Sequence, residues 1–183
     1  MNKVISFFKK PSKGNSFEAL LAPHMDLLYR QSYQYTGSTH DAEDLLQDLL
    51  IELFQKQNQL KAAKSPRAWL TRCLYHRFID GYRKQKSTPE FDDINDELTS
   101  NKLLSLECPA NTYWHQEVIA GLSLLTKDQR TTINLHDIEG FTLAEVSEIT
   151  EMPIGTLKSH LHRGRKMMQK RLNVQPCSSN HRL

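Results

Sequence analysis

Between Ile154 and Leu172 the chain sets out six cations, Lys158, Arg163, Arg165, Lys166, Lys170 and Arg171, and no acid. Apolar residues fall among them at Leu157, Leu161, Met168 and Leu172, with small Gly164 in the same stripe. Spacings of three and four put that stripe on one side of a 3.6-residue helix and leave the cations on the other. Lysines and arginines so placed neutralise phosphates and offer donors to base edges. This is chemistry for holding a polyanion. A charge run is just as often plain solvated surface, so the neighbouring elements must decide.

Those neighbours carry start and stop signals. Thr142 and Glu145 have capping-box spacing, and Leu143, Val146 and Ile149 give the helix they open an apolar face. Pro153 stops that helix and suits the entry to the next, because it lacks an N–H and its φ is preset. A capped helix, a tight turn and a basic helix are the pattern of a helix-turn-helix whose second helix enters a DNA major groove. Further upstream, Thr126 and Gln129 repeat the capping-box spacing ahead of a helix carrying Ile133 and Leu135.

A second group of residues suited to nucleic acid lies between Lys61 and Lys86, where eight Lys/Arg stand against one acid, Asp80. Ser65-Pro66 opens a helix there, and Leu70, Leu74, Phe78 and Tyr82 form its core stripe. Trp69, Arg72, Cys73, His76 and Arg83 fall on the other side. Trp69, Tyr75 and Tyr82 interleave with Arg72, Arg77 and Arg83, the combination that stacks unpaired bases while following the backbone. Plain packing of those aromatics is the competing reading.

The preceding helix has the opposite character. Ser38 or Thr39 caps it, Asp41 and Glu43 suit its first turn, and Ala42, Leu45, Leu46, Leu49, Leu50 and Leu53 make its buried face. Asp44, Gln47 and Asp48 form a polar patch directed away from that face. Nucleic acid is repelled there, so the patch is either solvated surface or the contact for a protein with a basic surface.

These helices account for most of the chain's 183 residues, and no convincing strand or internal repeat interrupts them. Charge is arranged in blocks. Residues 1–85 hold 13 Lys/Arg against 8 Asp/Glu, residues 86–110 hold 2 against 6, and residues 111–183 hold 9 against 7. The acidic strip is also rich in Ser, Thr, Pro and Asn, and reads as a flexible linker. The expected architecture is all-α, two small helical domains joined by that acidic linker, the second containing the helix-turn-helix. Its boundaries are a basic N-terminal tail at 1–16, a first domain at 17–85, the linker at 86–110, a second domain at 111–172 and a C-terminal tail at 173–183.

Several function classes lose support. Val4–Phe8 is too short for a signal-peptide core, and no stretch approaches the roughly 20 apolar residues that span a bilayer. Three scattered cysteines, Cys73, Cys108 and Cys177, fit a reducing cytoplasm better than a disulfide framework. There is no Gly-rich phosphate loop and no common nucleophile or zinc-protease motif, so no catalytic residue is assigned. Cys73 and His76 have C-x-x-H spacing, but a metal site needs a fuller ligand set. No metal and no cofactor is expected.

Taken in order, these segments resemble the extracytoplasmic-function (ECF) sigma factors of bacterial RNA polymerase. DAEDLLQDLLIELFQ (41–55) is similar to the polymerase-binding helix of region 2, and SPRAWLTRCLYHRFIDGYRKQ (65–85) to its promoter-melting, minus-ten-reading helix. LTKDQR (125–130), EGFTLAEVSEI (139–149) and MPIGTLKSHLHRGR (152–165) resemble region 4. The resemblance implies that Asp44, Gln47 and Asp48 contact the core polymerase. It implies minus-ten contacts at Trp69, Arg72, His76, Arg77 and Arg83. Thr156, Lys158, Ser159, His162, Arg163 and Lys166 fall on the minus-thirty-five-reading helix. It also implies promoter DNA, double-stranded and melted, and an anti-sigma protein as partners, with no membrane insertion and a cytoplasmic location. The acidic linker corresponds to a segment that threads the polymerase toward its active centre.

Three positions depart from the family pattern. His76 replaces a common Asn, Glu151 stands where the turn usually has Gly, and His160 where Arg is frequent. A free-standing helix-turn-helix regulator, with the first unit as sensor or dimerisation domain, is the other function class these residues allow. A small metal-dependent enzyme is a third.

Overall fold

In a computed structural model the described residues are 17–86, 118 and 121–172. All their regular elements are helical, and they form two units. The expected tails, most of the linker, the start of the second domain, Cys108 and Cys177 lie outside the described residues.

The first unit runs α1 (Phe17–Leu21), a 3₁₀ turn (Ala22–His24), α2 (Met25–Thr36), α3 (Thr39–Gln55), α4 (Gln57–Ala62) and α5 (Pro66–Lys86). Gly37 ends α2 in the left-handed region, φ 68°, with its N–H donating to the Tyr33 carbonyl at 2.7 Å. Ser38 is the cap of α3, its hydroxyl accepting from the Asp41 amide, and Ser65 does the same for α5 through Ala68. Along α3 the buried residues are Ala42, Leu46, Leu49 and Leu53. Leu45 and Leu50, expected among them, are only half-buried. They lie roughly 60–80° to either side of that four-three-four stripe, at the rim of the face.

On α5 the expected stripe divides. Leu70 and Leu74 are buried, whereas Phe78 and Tyr82 are half-buried. Thr71 and Tyr75 are buried instead. The reason is aromatic packing against α2. Tyr35 stacks on Phe78 at 5.0 Å between centroids and meets Tyr75 edge-on at 6.1 Å. Packing therefore claims Tyr75, and the interleaved-aromatic reading of this helix keeps only Trp69 and Tyr82, both half-buried.

The remaining elements are α6 (Lys127–Ile133), a π-helical segment (Asn134–Ile138), α7 (Leu143–Thr150) and α8 (Ile154–Leu172), of which residues up to Val146 and from Met152 onward make the second unit. Both capping boxes are formed. Thr126 accepts from the Gln129 amide while Gln129 accepts from Thr126, and Thr142 and Glu145 make the same reciprocal pair. The sequence expects one regular helix through Leu135. The chain instead widens after Ile133, with the Glu139 N–H donating to the Asn134 carbonyl five residues back. Leu125, Ile133 and Leu161 are the centre of one core cluster, with Leu122, Leu143 and Met168 packed against it. A Cβ on Gly164 would lie 2.6 Å from Ile133 Cδ1, so α6 and α8 approach closely where the stripe has its glycine.

The turn between α7 and α8 corrects one expectation. Pro153 does not stop α7. The helix ends at Thr150, and Glu151 takes φ 61° with its N–H donating to the Ser147 carbonyl at 2.8 Å. That is the left-handed C-terminal motif glycine usually supplies. Pro153 instead begins α8, its carbonyl accepting from the Leu157 amide.

Candidate functional site

The basic face of the second unit is built on α8. Burial of Leu157, Leu161 and Gly164 against the rest of the unit fixes the rotation of that helix. Thr156, Lys158, Ser159, His162, Arg163 and Lys166 are all exposed as a consequence. Ser159 donates its hydroxyl to the Gly155 carbonyl at 3.0 Å, within its own helix. Lys158, His162, Arg165 and Lys166 line a groove of about 540 Å³ together with Leu161 and His136. His136 Nδ1 lies 2.7 Å from the Phe141 carbonyl oxygen, so that nitrogen carries the ring proton.

Two arginines brace this unit. Arg165, 28 residues from Asp137, binds its carboxylate through both Nε, at 2.9 Å, and Nη2. The fork joins α8 to the π segment and removes Arg165 from the unpaired cations. Arg130 donates to the carbonyls of Leu122 at 2.9 Å, Ser123 at 3.3 Å and Leu125 at 3.0 Å. It thereby ties α6 to the turn that leads into it. The Arg165 fork is set by the tertiary fold, whereas the Arg130 contacts are local, five to eight residues back along the chain.

In the first unit α3 exposes Asp44, Gln47 and Asp48. Asp44 has His40 one turn back, Nδ1 to Oδ2 3.1 Å. Asp48 accepts from Arg77 Nη2 at 2.8 Å, and Arg77 Nη1 stands 3.6 Å from Glu52. Glu52 is itself engaged by Lys56 at 2.6 Å. The structure thus brings together Asp48 and Arg77, which the sequence places on two different surfaces. A helical projection explains it: Arg77 lies about 140° around α5 from Arg72 and about 100° from His76. Arg72 and Arg83 are exposed and lie about 20° apart in the same projection, with Trp69 and His76 half-buried beside them.

Cys73 is half-buried, and burial pushes its thiol up to about 11, the Glu52 carboxylate adding to the shift. A thiol so protonated is a weak nucleophile and a weak ligand. Among the described residues no group of three or more His, Cys, Asp or Glu is placed to hold a metal ion. No helix among them is long and apolar enough to cross a membrane.

Comparison with known proteins gives both units a family. Residues 20–88 match the model described as Sigma-70 region 2, and residues 115–168 that described as Sigma-70, region 4. The chain is 27% identical over 178 residues to the ECF RNA polymerase sigma factor SigW of Bacillus subtilis (strain 168), covering 90% of this chain and 94% of that protein. It is 26% identical over 164 residues to SigX of the same organism, with 87% and 84% covered. Among solved structures, the sigma factor RpoE in complex with the anti-sigma factor NepR, from Bartonella quintana, matches with TM-score 0.71 and 26% identity. That match spans 87% of this chain and 98% of that one.

Proposed function

The chain belongs to the sigma-70 family as an ECF sigma factor, and from that premise we propose that it binds core RNA polymerase and directs promoter-specific initiation. In this reading residues 17–85 are the region 2 domain, 86–110 the linker and 111–172 the region 4 domain. Asp44, Gln47 and Asp48 meet a basic surface of the polymerase. Trp69, Arg72, His76 and Arg83 capture the melted minus-ten strand, with Arg77 at the edge of that set. Thr156, Lys158, Ser159, His162, Arg163 and Lys166 read the minus-thirty-five major groove. The protein supplies recognition and no catalysis or cofactor of its own, and it acts in the cytoplasm. An anti-sigma protein is a natural further partner, since the solved RpoE relative is in complex with one.

The observation that carries the proposal is the pairing of surfaces of opposite sign on separate helices, the exposed Asp44–Gln47–Asp48 face of α3 and the exposed cationic face of α8. DNA binding alone explains α8. It gives α3 no role, because an acidic face repels a phosphate backbone. The alternative, a free-standing helix-turn-helix regulator, accordingly differs at α3. Asp44→Lys is the clean discriminant, since reversal at Asp48 would also confront Arg77. Loss of co-purification with core polymerase, with helicity and melting unchanged, supports the sigma reading. Undiminished co-purification by Asp44→Lys combined with Gln47→Ala favours the regulator.

A further inference from the structure

The face of α3 described so far is polar, yet its centre is not. Ile51 is 64% exposed, the most open large apolar side chain named in the described residues. At 3.6 residues per turn it lies within roughly 20° of the mean direction of Asp44, Gln47 and Asp48, with exposed Gln55 beside it. Phe54, 58% exposed, is on the flank of the same face, and its ring already packs edge-on against Phe17 at 5.5 Å. Ile51 has the place that an apolar anchor takes in a protein interface: central, with charged and amide groups around it.

We propose that Ile51 is the apolar anchor of the polymerase contact, inserting between cations of a basic surface on the partner while Asp44 and Asp48 engage the cations themselves. This rests on the sigma reading and deepens it. Continuity with the acidic patch identifies the occupant, for Asp44 and Asp48 precede the isoleucine on the same exposed helix face and Gln55 follows it. The two kinds of contact have separate signatures. Long-range attraction by exposed carboxylates accelerates association and is screened by salt. Burying an aliphatic side chain slows dissociation and is nearly indifferent to salt.

The test is surface-coupled binding kinetics of the full-length chain with core RNA polymerase, at about 0.1 M and about 0.5 M salt, ionic strengths over which the Debye length shortens about twofold. Burial of an exposed Ile is worth about a tenfold change in affinity. Ile51→Ala is therefore expected to raise the dissociation rate about tenfold at both salt concentrations, with the association rate unchanged. Ile51→Leu should restore most of the loss. Asp44→Asn should slow association at the lower salt and have little effect at the higher. Wild-type binding with Ile51→Ala dissociating at the wild-type rate overturns the anchor and leaves the sigma reading intact. Absence of wild-type binding to core overturns both. An Ile51→Ala effect confined to association, or removed by salt, also overturns the anchor. Because Ile51 is solvent-exposed, unchanged thermal melting of each variant is the expected control, and Ile51→Gln, which keeps the helix but removes the apolar anchor, carries the same off-rate test if Ile51→Ala melts early.

Discussion

Glu151 holds the turn of the helix-turn-helix at φ 61°, with its N–H on the Ser147 carbonyl. A residue with a Cβ in that conformation costs about 1–2 kcal/mol, because the Cβ crowds the following carbonyl. Glycine removes that crowding but adds freedom to the unfolded chain, a loss of roughly 0.4–1 kcal/mol. The net gain for Glu151→Gly is therefore about 0.5–1 kcal/mol relative to Glu151→Ala. The comparison with alanine matters: both variants lack the carboxylate, so any contribution of that side chain cancels. For a small domain a gain of this size raises Tm by roughly 2–8 °C. Thermal unfolding followed by circular dichroism on the full chain measures it. Amide exchange at Val146, Leu157 and Leu161, all buried in the second unit, shows whether the gain reaches it. Equal stability of the Gly and Ala variants would show that the left-handed backbone costs nothing here, and the reasoning would fail.

Four other outcomes follow from the same structure. Thr126→Ala removes a formed capping box and should cost about 1 kcal/mol, read by urea unfolding. Single and double substitution of Asp48→Asn and Arg77→Gln should give a coupling energy below about 1 kcal/mol, since both partners are solvent-accessible; a larger one would make the pair a principal strut of α3 on α5. In a variant lacking the other two cysteines, Cys73 should react with iodoacetamide at pH 8 far more slowly when folded than in denaturant. Its thiol is pushed up to about 11, and equal rates would contradict the burial. Burial, with Arg67 nearby, lowers the pKa of His24 below 6.5. The unfolded chain then takes up the proton first, so stability should fall as pH drops through 6.5 and level off below the folded-state value. His24→Gln should lessen that loss, as urea midpoints between pH 7.5 and 5 would show.

What the sequence makes legible here is local. The spacing of a hydroxyl and a carboxamide at Thr126–Gln129, and of a hydroxyl and a carboxylate at Thr142–Glu145, locates two helix starts, because a capping box needs nothing beyond four consecutive residues. The period of Leu157, Leu161 and Gly164 sets which side of α8 is exposed, and thereby the cationic face. The less legible features are set at long range. By sequence Tyr75 is available for stacking on bases, and in the fold Tyr35 of α2 claims it. By sequence Arg77 is one more cation of a basic helix, and its bond to Asp48 depends on how α5 lies across α3. The π segment after Ile133 has no period of its own to betray it. Ile51 differs, because 3.6 residues per turn already sets it opposite the Ala42–Leu46–Leu49–Leu53 stripe, and the structure adds how far it is exposed.

The central claim is that this chain confers promoter selection on a polymerase, and run-off transcription tests it most directly. Core RNA polymerase is assayed on a library of genomic promoter fragments, alone and with the full-length protein. The account predicts discrete run-off products that require the protein and vanish with Asp44→Lys or with Lys158→Ala combined with Arg163→Ala. No protein-dependent product from any fragment, by a protein shown to bind core, would contradict it.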